Sequence, residues 1–539
     1  MGDLKGSSET GLTRKDDMCG IFGSINSNAL QDTYEGLSRL EYRGYDSFGY
    51  AALKNGEVTV VKKLGSVDES EFRGDCESII GHVRWATNGE VTVENAHPQV
   101  AGKYYVVHNG VVENAPAGTL DTKWIATLLR EKGVLPTWET VEGDNAIVVL
   151  DSETEEIFCF AQGSKRLFIT TNGYISSDLN ALAGFDTRAW VIEDSCYSIR
   201  GIIEGLGWDC RMVDVPAEYK SKLKPGHKML MEIEEQVGLQ SGQWPEIEND
   251  VDIIATGSSL HAAMFGSYAL EKAKSIQVRC LHASQARYRS LGTNLLAISQ
   301  SGETKDVINA LKDKGDFTCI TNNPYSTLYD MSHDPIRMDV GPEEAVAATK
   351  TFTASCMKLC QAAGVSMNGL KFYIQDILDR TDEIKEIADR IMGYDHFLFL
   401  GDRQNYPIAL EGALKFKEVA YVHAEGMPSS EMKHGPIALV DHRVPSLFVM
   451  TEGFTPETLS NIQEIKSRKG FVVVITHSAV ENDLLWKGVD IVFSCKNTGE
   501  QYSQSLVLNV VLQLLSYYIA VRRGINPDRP RNLAKCVTV

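Results

Sequence analysis

The pattern of hydrophobic and polar positions changes part-way along the chain. Before about residue 220, short apolar runs rich in β-branched and aromatic residues alternate with Gly, Asn and Asp turns. Such runs predict strands at 104–107, 146–150, 157–160 and 167–170. Because the runs are short and closely spaced, we expect a layered α+β domain rather than a parallel sheet with long crossovers.

After about Asn249 the pattern becomes apolar strand, glycine or serine turn and amphipathic helix, and it occurs twice. The segments that align are 251–257 with 396–401, 294–299 with 445–450, and 317–321 with 471–476. Their offsets stay at about 145 to 155 residues, which indicates two copies of one domain. Each copy is predicted to be a doubly wound α/β domain with a parallel sheet.

These patterns predict an α/β multidomain chain. The predicted divisions are an N-terminal extension or propeptide at 1–18, the α+β domain at 19–220, a linker at 221–248, the two doubly wound copies at 249–375 and 390–524, and a tail at 525–539. The linker contains Pro225 and Gly226 and an acidic helical segment at 231–237. The most apolar stretch, 506–521, is interrupted by three polar residues and is short for a membrane span, so we predict a buried helix.

Composition and charge narrow the functional classes. The chain carries 53 Lys and Arg against 72 Asp and Glu, a net charge of −19. That charge argues against a general nucleic-acid or membrane surface as a partner. The 11 cysteines form no C-x-x-C pair and no cluster of zinc spacing, so we expect neither disulfides nor a metal site, and a cytoplasmic location. Residues 1–18 lack the apolar core of a secretory signal.

Cys19 begins the segment Cys-Gly-Ile-Phe-Gly. A cysteine at the start of a mature chain provides a thiol nucleophile and an α-amine that can act as its general base. Alone, the segment is equally typical of a buried strand. Three further segments, 43–47, 82–87 and 108–110, follow it in the order Arg-Gly-Tyr-Asp-Ser, His-Val-Arg-Trp-Ala-Thr and His-Asn-Gly. Together they resemble the class II glutamine amidotransferases, whose glutaminase domain has the N-terminal-nucleophile hydrolase fold.

The residue chemistry is compatible with glutamine hydrolysis. Asn109 and Gly110 can supply N–H donors to an oxyanion. Arg84 suits the carboxylate of glutamine and Asp121 its ammonium. The resemblance further implies that Trp85 gates the passage of ammonia and that Thr87 and Asn88 lie in the glutamine site.

Two departures from the family pattern affect this site. Asn88 stands where the family usually has histidine, which removes one ring donor. The interval between Gly110 and Asp121 is shorter than usual, which weakens the assignment of Asp121.

The second half carries a candidate phosphate site. Ser299-Gln300-Ser301-Gly-Glu-Thr304 directly follows a predicted buried strand and resembles the phosphosugar motif of sugar isomerase (SIS) domains. Hydroxyls and backbone N–H groups at such a turn can surround a phosphate. Ser258 and Ser259 lie at an equivalent strand end, where ligands of open α/β sheets bind. A lone serine turn is usually a helix cap, but two at successive strand ends favour binding.

Three C-terminal segments, 411–418, 431–436 and 531–539, complete a resemblance to the glucosamine-6-phosphate synthase family that runs from Met18 to the last residue. The resemblance implies that glutamine is hydrolysed at Cys19 and that its ammonia passes internally to fructose 6-phosphate. Lys535 would form a Schiff base at C2, Glu418 would move the proton between C1 and C2, and His434 would assist ring opening.

The same resemblance implies the remaining features. It predicts a homodimer without metal or organic cofactor. The sugar phosphate would contact Ser258, Ser259, Ser299, Gln300, Ser301, Thr304, Val346 and Ala534. Thr256 and Ala348 replace a cysteine and a serine that are usual near this site.

Other functions remain as alternatives. Asparagine synthetase and amidophosphoribosyltransferase need nucleotide or ribose loops that the chain lacks, and the SIS pair excludes both. A phosphosugar isomerase or deglycase with a silent glutaminase half is a closer competitor, and a non-catalytic sugar-phosphate sensor is another. The glutaminase chemistry requires a free amine on Cys19, so we expect a mature chain that starts there, through translation from Met18 or through cleavage.

Overall fold

The computed structural model describes residues 19–535 except 27, 87–88, 164, 207–209, 218–226, 241, 452–454, 478–487 and 534. The chain divides into two compact units. The described parts are 19–217, the N-terminal unit, and 227–535, the C-terminal unit.

The N-terminal unit is built mainly from strands. Its strands are β1 (Gly20–Ser24), β2 (Ser47–Lys54), β3 (Glu57–Leu64), β4 (Ser78–Arg84), β5 (Gln99–Ala101), β6 (Tyr104–Val112), β7 (Gly143–Asp151), β8 (Glu156–Gln162), β9 (Leu167–Thr170), β10 (Tyr174–Ser176), β11 (Arg188–Ile192), β12 (Ser195–Ser198) and β13 (Met212–Asp214). Its helices are α1 (Ala29–Leu40), α2 (Asp121–Lys132), α3 (Val134–Thr140) and the short α4 (Ile199–Gly201).

These strands form two antiparallel sheets, in the orders β13-β11-β9-β10-β1-β4-β2-β3 and β12-β8-β7-β6-β5. Residues of both sheets, among them Ile21 and Val148, share one buried core between the sheets. Helix α1 packs on the outer face of the first sheet through Leu37, and α2 packs on the second through Ile125. The result is a helix-sheet-sheet-helix sandwich in which β1 is a central strand.

The C-terminal unit alternates strands and helices. Its strands are β14 (Val251–Ala255), β15 (Val278–His282), β16 (Leu295–Ile298), β17 (Thr318–Thr321), β18 (Asp334–Arg337), β19 (His396–Gly401), β20 (His423–Met427), β21 (Ser446–Val449), β22 (Val472–His477) and β23 (Ile491–Cys495). Its helices are α5 (Lys228–Glu234), α6 (Gly257–Lys274), α7 (Ala283–Ala286), α8 (Lys305–Leu311), α9 (Thr327–Met331), α10 (Lys350–Ala362), α11 (Leu370–Asp379), α12 (Thr381–Ile391), α13 (Asn405–Ala420), α14 (Pro456–Ser467) and α15 (Gln501–Arg522).

The two copies in this unit have the same topology. Their parallel sheets run β15-β14-β16-β17-β18 and β20-β19-β21-β22-β23. In the first copy the strand order reverses between β14 and β16, and ligands of such sheets bind at the carboxyl ends of the strands at this point. The central strands β14 and β16 are buried along their whole length because helices cover both faces of the sheet.

The structure confirms the fold class and the duplication. The boundary expected near residue 375 falls within α11. The apolar stretch predicted as a buried helix forms most of α15, the one helix among the described residues that is long and apolar enough to cross a membrane, and it is buried within the unit. Its Gln513 is satisfied internally, since the side chain accepts from Gln236 at 2.7 Å and donates to the Thr349 carbonyl.

Candidate active sites

Cys19 lies buried immediately before β1, in the middle of the larger antiparallel sheet. Its backbone nitrogen donates to Asn109 Oδ1 at 3.4 Å, and its Sγ contacts the Trp85 carbonyl at 3.8 Å. Asn109 and Gly110 lie on β6 of the facing sheet. Gly110 has a φ of +148°, and a Cβ there would lie 2.0 Å from the Asp144 carbonyl, so this position requires glycine.

The segment that begins with Arg43 positions the strand end that bears Arg84. The Asp46 nitrogen donates to the Arg84 carbonyl at 3.0 Å, and Asp46 Oδ2 accepts from the Ala86 nitrogen at 2.8 Å. Arg43 itself pairs with Asp178 at 2.9 Å, away from the thiol. This motif therefore holds the loop after β4 in place.

One small cavity brings the candidate glutamine ligands together. Cys19, Arg84, Trp85 and Asp121 all line it. Asp121 begins α2, and its Oδ2 accepts from the Val112 nitrogen at 3.0 Å, which fixes the carboxylate at the end of β6. The short interval between Gly110 and Asp121 therefore still places the carboxylate in the cavity. Thr87 and Asn88 lie outside the described residues.

A buried histidine network lies behind the cavity. His108 bonds Thr122 and Asn145, His97 bonds Thr122, and His82 Nε2 bonds the His108 carbonyl at 3.0 Å. Burial lowers the pKa of all three imidazoles, that of His82 to about 3. The network is neutral at physiological pH and was not identified as a unit from the sequence.

The serine-rich loops lie at the carboxyl ends of β14 and β16, on either side of the switch point in the first copy. Ser299 follows β16 and is buried; its Oγ contacts Thr304 Oγ1 at 2.8 Å and accepts from the Gly302 nitrogen at 3.1 Å. Ser301 Oγ accepts from the Glu303 nitrogen at 3.1 Å. The Ser299 hydroxyl therefore stabilises the conformation of the turn through contacts with its own residues.

Three further predicted sugar contacts lie in this loop and in α6. The Gln300 carbonyl accepts from the Asn322 nitrogen at 3.0 Å, which fixes the backbone of the loop. Ser258 and Ser259 lie in the first turn of α6.

Helix α13 of the second copy contributes a buried ion-pair network. Lys415 Nζ lies 3.0 Å from Glu411 Oε1 and 2.6 Å from Glu418 Oε2, at the i, i+4 and i, i+3 spacings of one helix face. Glu411 also accepts from Ser258 Oγ of the first copy and bonds His261, each at 2.8 Å. The network thus joins the two copies beside the serine loops.

The charges of this network stabilise one another. Burial by itself would raise the pKa of Glu411, but the charge of Lys415 and the hydrogen bonds from His261 and Lys415 outweigh it and lower the pKa to about 2. Burial would likewise lower the pKa of Lys415, but Glu411 and Glu418 raise it. Lys415 is therefore a cation that holds Glu418 in place.

Lys535 lies in a second buried pair. Its Nζ is 2.5 Å from Glu343 Oε2, and the two side chains are 3% and 0% exposed. Val346, near Glu343, is buried and its nitrogen donates to the Asp528 carbonyl at 3.2 Å. In the described residues Lys535 pairs with Glu343 rather than with Glu418.

The structure does not bring every predicted residue together. His434 lies exposed at the end of the short turn Glu431–His434 and has no hydrogen bond or ion pair to Glu418 or Lys535 among the described residues. Ala534 lies outside the described residues.

Sequence patterns indicated three charged residues of the site only in part. The spacing of Glu411 and Lys415 is the same as in a solvated surface pair, so it did not indicate burial. Glu343 belongs to no motif that the sequence singled out.

Known proteins match this chain over nearly its whole length. The family model for the SIS domain matches residues 248–364 and 391–523. A glutamine-fructose-6-phosphate aminotransferase (isomerizing) of Aquifex aeolicus is 33% identical, and one of Pyrococcus horikoshii 34%; each alignment covers 97% of this chain and all of the relative. The solved C-terminal domain of glucosamine-fructose-6-phosphate aminotransferase from Francisella tularensis is 31% identical, with a TM-score of 0.53 over 57% of this chain and 99% of that domain.

The fold and these relatives identify a glutamine amidotransferase whose glutaminase domain is followed by a pair of SIS domains. At this identity over nearly the whole chain, the protein belongs to the glutamine-fructose-6-phosphate aminotransferase (isomerizing) family.

Proposed function

We propose that this protein transfers the amide nitrogen of glutamine to fructose 6-phosphate, which gives glucosamine 6-phosphate and glutamate. The observation that carries the proposal is the convergence of Cys19, Arg84 and Asp121 on one cavity in a member of this family. A glutamine placed there has its carboxylate on Arg84 and its ammonium on Asp121. Those two contacts present its side-chain amide to the thiol.

In the N-terminal unit, Cys19 Sγ attacks the amide carbon and the oxyanion is stabilised by Asn109 and Gly110. Ammonia leaves, and water hydrolyses the thioester to glutamate. The proton of the thiol passes to the α-amine of Cys19, which requires removal of the residues before it. N-terminal sequencing of active protein should therefore find Cys19 first, and glutaminase activity from a chain that retains Met18 would refute the amine as base.

In the C-terminal unit, the first turn of α6 at Ser258 and the loop at Ser299 hold the phosphate, and Lys535 condenses with C2 of the open sugar to give an imine and water. Ammonia then attacks C2 and displaces the lysine amine, which leaves the imine of ammonia at C2. Glu418 then transfers a proton between C1 and C2, held for this step by Lys415 at 2.6 Å. His434 assists ring opening, and Val346 and Ala534 contact the sugar. No organic cofactor or metal takes part. We further propose a cytoplasmic homodimer that forms through the SIS domains.

A coupled assay of the purified protein tests this function. With glutamine and fructose 6-phosphate, we expect glutamate and glucosamine 6-phosphate in equal amounts. Interconversion of phosphosugars with no glutamate would favour the isomerase with a silent glutaminase half. Binding of fructose 6-phosphate without turnover would favour the sensor.

A further inference from the structure

A cluster of two buried carboxylates surrounds Lys535. Glu343 is held by the hydroxyl groups and backbone nitrogens of Thr349 and Thr351, at 2.6 to 3.4 Å, in addition to Lys535. These neutral donors fix the carboxylate whether or not the lysine is present. The Glu343 carboxylate is therefore a rigid anion that lies beside the Nζ atom of Lys535.

Glu232 on α5 is the second carboxylate. One of its oxygens accepts from the Glu344 and Ala345 nitrogens, whereas its Oε2 is buried and has no hydrogen-bond partner among the described residues. Burial, followed by the charge of Glu343, raises the pKa of Glu232 to about 8. Glu232 is therefore protonated near neutral pH, and the cluster carries one negative charge, on Glu343.

Charges on neighbouring elements are already paired. Lys350 pairs with Glu235 at 2.6 Å, and Lys228 pairs with Glu344. Lys535 and Glu343 therefore form an isolated pair of one cation and one anion, in which burial strengthens the attraction.

We propose that Glu343 is the fixed counterion of Lys535 and holds its Nζ cation in place both as the ammonium and as the protonated imine with the sugar. This inference rests on the proposed role of Lys535 and goes beyond it, because Glu343 is a positioning residue that does not itself react. The ammonium and the C2 carbonyl give a protonated imine and water: the C2–N bond forms, and the carbonyl oxygen leaves with two protons from nitrogen. The ammonium gives up one proton before the neutral amine attacks C2, and the positive charge returns to nitrogen when water leaves. Nitrogen therefore carries one positive charge both at the start and at the end, so one fixed anion serves both states.

Reductive trapping tests the counterion. Cyanoborohydride reduces the protonated imine, so the full chain is incubated with fructose 6-phosphate and the reductant over a range of pH, and peptide mass spectrometry measures the sugar on Lys535. Replacement of Glu343 by glutamine keeps an acceptor but removes the charge. An opposite charge at this distance raises the pKa of a cation by one unit or more. In the variant the protonated imine, and with it the trapping, should therefore be lost on raising the pH at least one pH unit earlier than in the wild type. At the wild-type midpoint the variant should then be trapped at least about fivefold less.

Matched variants separate charge from structure. Glu232→Gln should leave the midpoint unchanged, because that side chain is neutral while Glu343 is charged. Removal of the Glu343 charge lowers the pKa of Glu232, which then ionises and replaces part of the lost charge, so the double variant should shift further than Glu343→Gln alone. Calorimetric binding of glucose 6-phosphate reports whether the serine loops remain intact. If Glu343→Gln does not fold, Glu343→Asp should shift the midpoint in the same direction by a smaller amount.

The outcomes are distinguishable. Wild-type trapping at Lys535 with an unmoved midpoint in a folded Glu343 variant would overturn the counterion. Wild-type trapping at Lys415 or Lys433, or at no lysine, would instead refute the proposed role of Lys535.

Discussion

The two units differ in the charge state of their buried titratable groups. Behind the Cys19 cavity, His82, His97 and His108 are kept neutral by burial and share hydrogen bonds with uncharged partners. In the SIS pair, Glu411 and Glu343 stay charged because a lysine faces each of them. In the proposed mechanism, the charged network of the C-terminal unit positions Glu418 for proton transfer and Lys535 for the imine, whereas the histidine network of the N-terminal unit adds no charge to the nucleophile site.

Removal of one ion of the α13 network should give the largest effect. Lys415→Met leaves Glu411 buried without its cation, which costs about 3–5 kcal/mol of stability. Urea unfolding, read by cleavage within the C-terminal unit, measures this loss. The double variant Glu411→Gln/Lys415→Met keeps an acceptor for Ser258 without the charge and should recover part of it. A single variant within 1 kcal/mol of the wild type would refute the charged network.

Asn109→Ala should affect only the glutaminase reaction. Loss of one oxyanion donor slows such reactions about 100- to 1000-fold, or about 2.7–4 kcal/mol. Glutamate release measures this rate, and synthesis from ammonium serves as the internal control. Equal slowing of both reactions would mean that Asn109 has a structural role.

Acid should weaken the N-terminal unit before the C-terminal unit. The pKa of His82 is lowered to about 3 in the fold, so the unfolded chain takes up the proton first and stability is lost as the pH falls below about 6.5. From pH 7 to 5 the loss is about 2 kcal/mol for His82. Glu411, whose pKa is lowered to about 2, keeps its contribution above about pH 4.5. The pKa of Glu232 is raised to about 8 in the fold, so this group adds stability to the C-terminal unit as the pH falls through this range.

Urea unfolding at pH 7 and pH 5, with thermolysin cleavage assigned to each unit by mass spectrometry, checks this order. The variant His82→Gln can still donate to the His108 carbonyl but does not titrate, so its N-terminal unit should be less sensitive to acid. Equal weakening of both units would contradict the contrast.

A substitution at Asn88, in the predicted glutamine site, should give the smallest effect. The family resemblance implies a histidine at the position of Asn88, and one neutral hydrogen bond is worth about 0.5–1.5 kcal/mol. We therefore expect Asn88→His to lower the Michaelis constant for glutamine about two- to tenfold. An unchanged constant would show that the missing imidazole is not needed here.

Local patterns in the sequence were sufficient to predict the strands and the duplication. The runs at 104–107 and 167–170 lie within β6 and β9, and 396–401 coincides with β19. These elements can be predicted because the spacing of apolar residues within a short segment indicates its secondary structure.

The charged parts of the site depend on contacts between distant segments. Glu411 is buried because Ser258 and His261, far away in the chain, pack against it. Lys535 meets Glu343 across a separation of 192 residues. No local spacing distinguishes such pairs from solvated ones, so the sequence identified Lys535 through family resemblance and did not identify its partner.

The most direct test of the two-site account is synthesis by Cys19→Ala with each nitrogen donor in turn. We expect this variant to release no glutamate and to make no glucosamine 6-phosphate from glutamine. It should still make glucosamine 6-phosphate from ammonium at the wild-type ammonium-dependent rate, because the nucleophile and the proposed sugar site lie in separate units. Glutamate release by the variant, or loss of the ammonium reaction in a folded variant, would contradict the account.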